Sequence, residues 1–116
     1  MRYLLLIYGD EKAFAGMSAG QIEATLGEFE KYSAWLVERG WMRAGDQLAD
    51  TDQATTLRQN GGTVLATDGP FAETKEQLGG YYIVECENLD EAIEAAGRIP
   101  SLASGGSVEV RPLIDM

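Results

Sequence analysis

The chain has 116 residues, 45% of them apolar, which fits one globular domain with its own hydrophobic core. Its formal net charge is −10, with acidic residues spread along the chain and nine basic residues scattered singly, so we expect no nucleic acid and no anionic membrane among its partners. Histidine is absent and there is one cysteine, which excludes Ser-His and Cys-His catalytic pairs and an intrachain disulfide.

The remaining broad features concern membranes, location and metals. The longest apolar run, YLLLIY at 3–8, has the length of a strand and falls far short of the ~20 residues that cross a bilayer. The N-terminal residues lack the pattern of a signal peptide, so we expect a cytoplasmic protein. Residue spacing typical of metal ligands is also missing, and we predict neither a metal ion nor a cofactor.

The first half of the chain predicts a strand, a helix and a second strand. RYLLLIY at 2–8 is apolar on both faces, as in a central strand, and the polar residues 9–16 predict a loop. Ser18 and Gln21 form a capping-box pattern that begins a helix at about 18–39, which Gly40 ends. Residues 41–48 predict the second strand. The helix carries one apolar stripe, formed by Ile22, Leu26, Phe29, Ser33, Leu36 and Val37.

The second half predicts a hairpin, a strand, a helix and a last strand. Residues 55–67 favour a β-hairpin because Asn60-Gly61-Gly62 supplies the positive φ angles of a tight turn. Residues 79–87 predict a strand with Tyr82, Val84 and Cys86 on one face and Tyr81, Ile83 and Glu85 on the other. Asn88 caps a second helix, residues 101–107 predict a flexible connector, and 108–114 the last strand. The apolar face of the second helix is predicted as Leu89, Ala92, Ile93 and Ala96, with Pro100 at its end.

The predicted fold is an α+β arrangement of the ferredoxin-like type. The order is β-α-β-β-α-β with an extra hairpin, and two helices cover one face of a mostly antiparallel sheet. The other face carries apolar residues such as Leu4, Leu6 and Ile83, which need cover. A second subunit stacking sheet to sheet would supply it, so we expect a homodimer.

One stretch resembles a known family. DGPFAETKEQLGGYYIVE at 68–85 resembles the DGPF-type branch of the YCII-related family. The similarity continues in RYLLLIY at the start, GDQL at 45–48, NLDEAIEAA at 88–96 and VEVRPL at 108–113, and so covers nearly the whole chain.

The resemblance implies a ferredoxin-like fold that assembles as a dimeric α/β barrel. It also implies a bacterial protein, since many such genes lie beside genes for extracytoplasmic-function sigma factors, and hence a sigma-factor-associated partner. A few relatives in the wider family are enzymes, including a dehydrochlorinase that acts on a hydroxylated chloroaromatic through a His-Asp pair. This chain has no histidine, so that role does not carry over.

The segment ATDGPFAETKEQ at 66–77 holds several candidate site residues. Asp68-Gly69-Pro70 is typical of a rigid turn, and it either only joins two strands or aims Asp68 and Phe71 at a cleft. Lys75 stands between Glu73 and Glu76, which fits a solvated face, a structural ion pair or a substrate clamp.

Further candidates lie outside this segment. Asp46 and Asp68 flank the hairpin; if they meet, they can share a proton or bind a divalent cation, and otherwise they are unrelated surface acids. Tyr8 and Tyr81 are candidates for lining a pocket with Arg111, and core packing is the alternative.

Three functional hypotheses follow. The first is a small-molecule binding module. The second is a lyase or proton-transfer enzyme on a small polar aromatic, in which either aspartate is the base, either tyrosine the proton donor, and Arg111 or Lys75 holds an anion. The third is a protein-interaction module that docks a partner such as a sigma factor through residues 66–77, which an exposed apolar patch around Phe71 would favour.

Overall fold

The computed structural model describes residues Met1–Met116 and contains six strands and three helices. Two short 3₁₀ turns lie at Thr51–Gln53 and Pro100–Ser104. The helices are α1 (Glu11–Ala15), α2 (Ala19–Glu38) and α3 (Leu89–Gly97). The strands are β1 (Arg2–Gly9), β2 (Met42–Gln47), β3 (Thr55–Asn60), β4 (Thr63–Asp68), β5 (Gln77–Glu85) and β6 (Ser107–Pro112).

The main sheet has the strand order of a ferredoxin-like fold. Its four strands lie in the order β2-β5-β1-β6, and every neighbouring pair is antiparallel. β1 lies at the centre, between two strands from the second half of the chain, as its two-sided apolar pattern predicted. The α+β prediction is therefore confirmed, with β3 and β4 as the extra hairpin in a separate two-stranded sheet.

The predicted ends of the two long helices are also confirmed. Ser18 Oγ accepts the Gln21 N–H at 3.2 Å, and the Gln21 side chain accepts the Ser18 N–H at 2.9 Å, which completes the capping box. Gly40 follows α2 with φ +74°, the left-handed conformation that favours glycine at this position. Asn88 Oδ1 accepts the Glu91 N–H at 3.0 Å and so begins α3.

Two segments predicted as irregular are ordered instead. Residues 9–16 contain α1, because the Asp10 carboxylate accepts the Lys12 N–H at 2.9 Å and caps a turn of good helix-forming residues. Residues 101–104, expected to begin a flexible connector, lie in the 3₁₀ turn Pro100–Ser104, which Gly105 ends with φ +92°.

The hydrophobic core lies between the main sheet and the two long helices. Leu5 and Val84 from the sheet and Leu36 from α2 are fully buried. Tyr32 is also buried, and its hydroxyl donates to the Ala95 carbonyl of α3 at 2.6 Å, which links the two helices. The core is made up of Tyr3, Leu5, Tyr32, Leu36, Trp41, Tyr82, Val84, Cys86, Ala92, Ala95, Ala96 and Ile99.

The predicted apolar helix faces were wrong at their margins. On α2, Leu26 and Val37 are exposed, because the helix turns Tyr32 and Leu36 toward the sheet and Val37 lies to the side of that stripe. On α3, Leu89 and Ile93 are exposed. That helix packs through its alanines, whose small side chains allow close approach to the sheet.

Two apolar surfaces remain outside this core. The first, which we call the open face, is the side of the main sheet away from the helices, with Leu4, Leu6, Tyr81 and Ile83 half-buried at its centre. The second is the arm, residues 55–68, whose strands β3 and β4 pair only with each other. The molecule measures 49 × 43 × 18 Å, so it is flat, with the arm extending from the sheet layer.

Candidate functional site

A cleft of about 530 Å³ lies beside the base of the arm, where the segment between β2 and β3 faces the segment between β4 and β5. The end of β1 contributes Tyr8. We call this cavity the cleft; it is lined by Tyr8, Leu48, Ala49, Asp50, Thr51, Gln53, Ala54, Thr56, Pro70, Phe71, Ala72, Thr74, Glu76, Gln77 and Leu78.

The Asp68-Gly69-Pro70 turn forms one wall of the cleft and is held by backbone groups. Gly69 has φ +108°, a conformation that a side chain would strain. Its N–H donates to the Ala54 carbonyl at 2.7 Å, and its carbonyl accepts the Thr56 hydroxyl at 2.8 Å. The turn is therefore fixed against the start of β3 and carries Pro70 and Phe71 into the lining.

The opposite wall is held by Glu11 of α1, a residue that sequence reasoning missed. The Glu11 carboxylate accepts the Thr51 N–H at 2.7 Å and the Thr51 hydroxyl at 2.9 Å. The Glu11 N–H in turn donates to Gln77 Oε1 at 3.0 Å. Glu11 thus joins α1 to the 3₁₀ turn through its side chain and to the start of β5 through its backbone N–H. The available signal was Asp10, a helix-capping residue directly before Glu11.

Two of the predicted site residues, Tyr8 and Phe71, meet in the cleft. Phe71 is 75% exposed, and its carbonyl accepts a hydrogen bond from Arg58 of the arm at 2.9 Å. Lys75 is exposed, makes no ion pair and does not line the cleft.

A second pair of predicted residues meets on the open face. Tyr81 on β5 donates its hydroxyl to the Asp46 carboxylate on β2 at 2.9 Å. This hydrogen bond and the negative charge of Asp46 raise the pKa of Tyr81 above its usual value, because both favour the protonated phenol. Asp68 lies at the end of β4, in the other sheet, and its carboxylate makes no hydrogen bond within the chain.

Arg111 lies on β6 and is hydrogen-bonded to neither Tyr8 nor Tyr81. It forms an ion pair with Glu109, two residues earlier on β6. Tyr8 lines the cleft, whereas Tyr81 and Arg111 do not. The structure therefore distributes the three residues of the predicted pocket between two places.

A smaller cavity of about 300 Å³ lies near the N-terminus, with Arg39, Trp41, Arg43 and Cys86 in its lining. Its two arginines already have carboxylate partners: Arg39 pairs with Glu94 at 3.1 Å and Arg43 with Glu85 at 3.3 Å.

Cys86 is buried, as its strand pattern predicted. Burial raises the pKa of its thiol, and the nearby carboxylate of Glu91 adds to that effect. A raised thiol pKa favours an unreactive core residue over a nucleophile.

Nowhere do three or more Cys, Asp or Glu side chains converge in the way that a metal ion requires. None of the helices combines the length and the apolar character needed to cross a membrane.

Comparison with known proteins places these features in a family. The YCII-related domain matches residues 1–116 of the chain. An uncharacterised protein of Rhizobium meliloti (strain 1021), R00369, is 40% identical over 114 residues, which are 97% of this chain and 92% of that relative. The resemblance drawn from the sequence is confirmed at the level of the family. The chain belongs to the YCII-related family.

Proposed function

We propose that the protein is a homodimeric small-molecule-binding domain whose ligand occupies the cleft. The observation that carries the proposal is the cleft itself, which combines a hydrophobic wall with polar groups. Small-molecule sites in proteins have this composition, and about 300–1,000 Å³ is their usual volume. Tyr8 and Phe71 supply aromatic surface, and Thr51 and Gln77 lie on the polar side.

Rigid walls support the same proposal. The Gly69 turn is fastened to Ala54 and Thr56, at the start of β3, by two hydrogen bonds, and Glu11 fastens the opposite wall by three. A preformed cavity binds a ligand without the entropy loss of ordering its own loops.

The homodimer is supported by how much surface the single chain exposes. Its accessible surface is 7977 Å², whereas a compact monomer of 12.6 kDa exposes about 6,200 Å². Its radius of gyration is 16.1 Å, against about 13 Å for a compact chain of this length. A standard interface covers about 800 Å² on each partner, so one such contact fits within the excess surface.

The balance of charges on the open face supports a second copy of this chain as the partner. The strands that form the open face carry three acids and three arginines: Arg2, Arg43, Asp46, Glu85, Glu109 and Arg111. Two of these arginines are already paired with glutamates on the same face. In a chain of net charge −10, this face is therefore near neutrality, and two copies can approach through it without strong repulsion.

The proposed ligand site is tested by screening small aromatic compounds against the ¹⁵N-labelled protein by NMR. We expect hits to shift the amide signals of Thr51, Gln77 and Leu78. Phe71→Ala should weaken the binding of these hits. Phe14→Ala is the matched control, because Phe14 is a partly exposed aromatic outside the lining. Hits that map away from the cleft, or bind equally well to Phe71→Ala, would refute the proposed site.

A protein-interaction module is the second candidate function, and the exposure of Phe71 favours it. On the arm, Leu57 and Val64 are 63% and 61% exposed, so the apolar surface extends beyond Phe71. In that case a partner such as a sigma-factor-associated protein, and not a second copy of the chain, would cover this surface. A chain that stays monomeric at high concentration would favour this candidate over the homodimer. The DGPF-type branch and the proton-transfer hypothesis stay predictions.

A further inference from the structure

The charged side chains that line the cleft are all acidic. They are Asp50 and Glu76, and no lysine or arginine is among the lining residues. Neither carboxylate takes part in an ion pair with a basic residue of the chain. Asp50 precedes the 3₁₀ turn without capping it through its side chain, and the Glu76 carboxylate accepts only the Ser107 hydroxyl, at 3.1 and 3.2 Å.

The threonine hydroxyls and the Gln77 amide of the cleft already donate within the protein. The Thr51 hydroxyl donates to Glu11, the Thr56 hydroxyl to the Gly69 carbonyl, and the Thr74 hydroxyl to the Glu76 carbonyl. The Gln77 amide donates to the Thr74 carbonyl. The cleft thus offers a ligand two carboxylates without a basic partner and the free Tyr8 hydroxyl, whereas its threonine hydroxyls are already engaged.

The apolar part of the lining is partly aromatic. Tyr8 and Phe71 present ring surfaces, and Leu48, Pro70 and Leu78 add aliphatic surface. Aromatic faces attract cations and do not attract anions, so they act in the same direction as the carboxylates.

From these three features we infer that the cleft selects a small organic cation, an amine or quaternary ammonium with an aromatic or aliphatic body. The inference rests on the proposed role of the cleft as the ligand site. It reverses the expectation, drawn from Lys75 and Arg111, that the protein holds an anion. The ammonium lies against Asp50 and Glu76, and the apolar body against Tyr8, Phe71 and Leu78.

The test uses three probes of similar shape and different charge: phenethylamine, 2-phenylethanol and 3-phenylpropionate. Binding to the ¹⁵N-labelled full chain is followed by NMR titration at pH 7. We expect the amine to bind about tenfold more tightly than the alcohol, and the carboxylate most weakly. Added salt should reduce the preference for the amine, because it screens charges at a partly exposed site.

Two double variants distinguish the effect of the lining carboxylates from the effect of the protein's net negative charge. Asp50→Asn with Glu76→Gln should remove the preference, so that the amine and 2-phenylethanol bind about equally. Glu23→Gln with Glu73→Gln changes the net charge by the same amount at exposed positions outside the lining, and it should keep the preference.

The other outcomes have separate meanings. Equal or tighter binding of the carboxylate or the alcohol in the cleft would overturn the cation inference and still support a ligand site. A preference for the amine that survives in the Asp50/Glu76 double variant would also overturn it. Binding of none of the probes would overturn the inference and count against the proposed function as well.

Discussion

Tyr32 shows how one polar atom is accommodated in the core. Its hydroxyl donates to the Ala95 carbonyl, and its ring packs edge-on against Tyr82, with ring centroids 5.1 Å apart. A buried donor needs such a partner, since an unsatisfied polar group in the interior costs free energy. The hydrogen bond also fixes how α2 and α3 lie relative to each other.

Replacement of Tyr32 by phenylalanine should cause a measurable loss of stability. Tyr32→Phe should lower the free energy of unfolding by about 1 kcal/mol, because it removes one buried hydrogen bond and keeps the ring. Urea denaturation at pH 7 measures the change. Tyr8→Phe is the control, since the Tyr8 hydroxyl has no partner in the chain, and a loss as large as that of Tyr32→Phe would contradict this account.

The same residue predicts a dependence on alkaline pH. Burial raises the pKa of Tyr32 above the value of about 10 that an unfolded tyrosine has. The stabilisation is therefore complete below pH about 10, and it decreases at higher pH as the unfolded state loses the proton first. Between pH 9 and 11, the urea midpoint of the wild type should fall more steeply than that of Tyr32→Phe. Parallel slopes would contradict the assignment.

At the scale of elements, the ends of α2 and α3 are fixed by local side-chain caps. Ser18 and Gln21 satisfy two backbone N–H groups that the first turn of α2 leaves free. At the start of α3, Asn88 accepts the Glu91 N–H, and the Glu91 carboxylate accepts the N–H of Glu87, one residue before the cap.

Loss of the α2 cap should therefore destabilise the chain. Ser18→Ala should lower the free energy of unfolding by about 1 kcal/mol, measured by urea denaturation. Ser104→Ala, at an exposed position without a side-chain hydrogen bond, should change it by less than about 0.5 kcal/mol. Equal effects of the two substitutions would argue against the capping account.

Features that depend on neighbours in sequence were predictable. The caps, the Gly61-Gly62 turn and the alternation of Tyr82, Val84 and Cys86 each follow from a few adjacent residues. The Glu109–Arg111 pair was predictable too, since residues two apart on a strand share a face.

Features that depend on packing were not predictable. On α3 the alanines face the sheet. Leu89 and Ile93, which were predicted to lie on the apolar face, are exposed instead. The cleft joins Tyr8, Thr51 and Phe71 from three separate segments, and no local pattern relates them.

At the scale of the whole molecule, the arm is the least supported part. A two-stranded hairpin alone is marginally stable in water, and one exposed face of this one carries Leu57, Val64 and Ala66. In the proposed homodimer, the second copy covers this surface.

The proposed homodimer predicts that a charged residue introduced on the arm lowers the mass of the assembly in solution. The wild type should sediment with twice the 12.6 kDa chain mass, and Leu57→Glu should shift it toward the monomer, because a buried glutamate opposes association. Val37→Glu adds the same charge at a position of similar exposure, 64%, on α2 and should leave the dimer intact. A wild type that is monomeric, or a Leu57→Glu variant that stays dimeric, would contradict the role of the arm.

The order β2-β5-β1-β6 also has a consequence for synthesis on the ribosome. β1 is translated first, yet its partners are residues 77–85 and 107–112, so it waits for nearly the whole chain before it can pair. Until then its apolar side chains are available to chaperones and to other nascent chains, and only α2 and the arm can form from contacts close in sequence. Slowing translation ahead of β5 would lengthen this exposure.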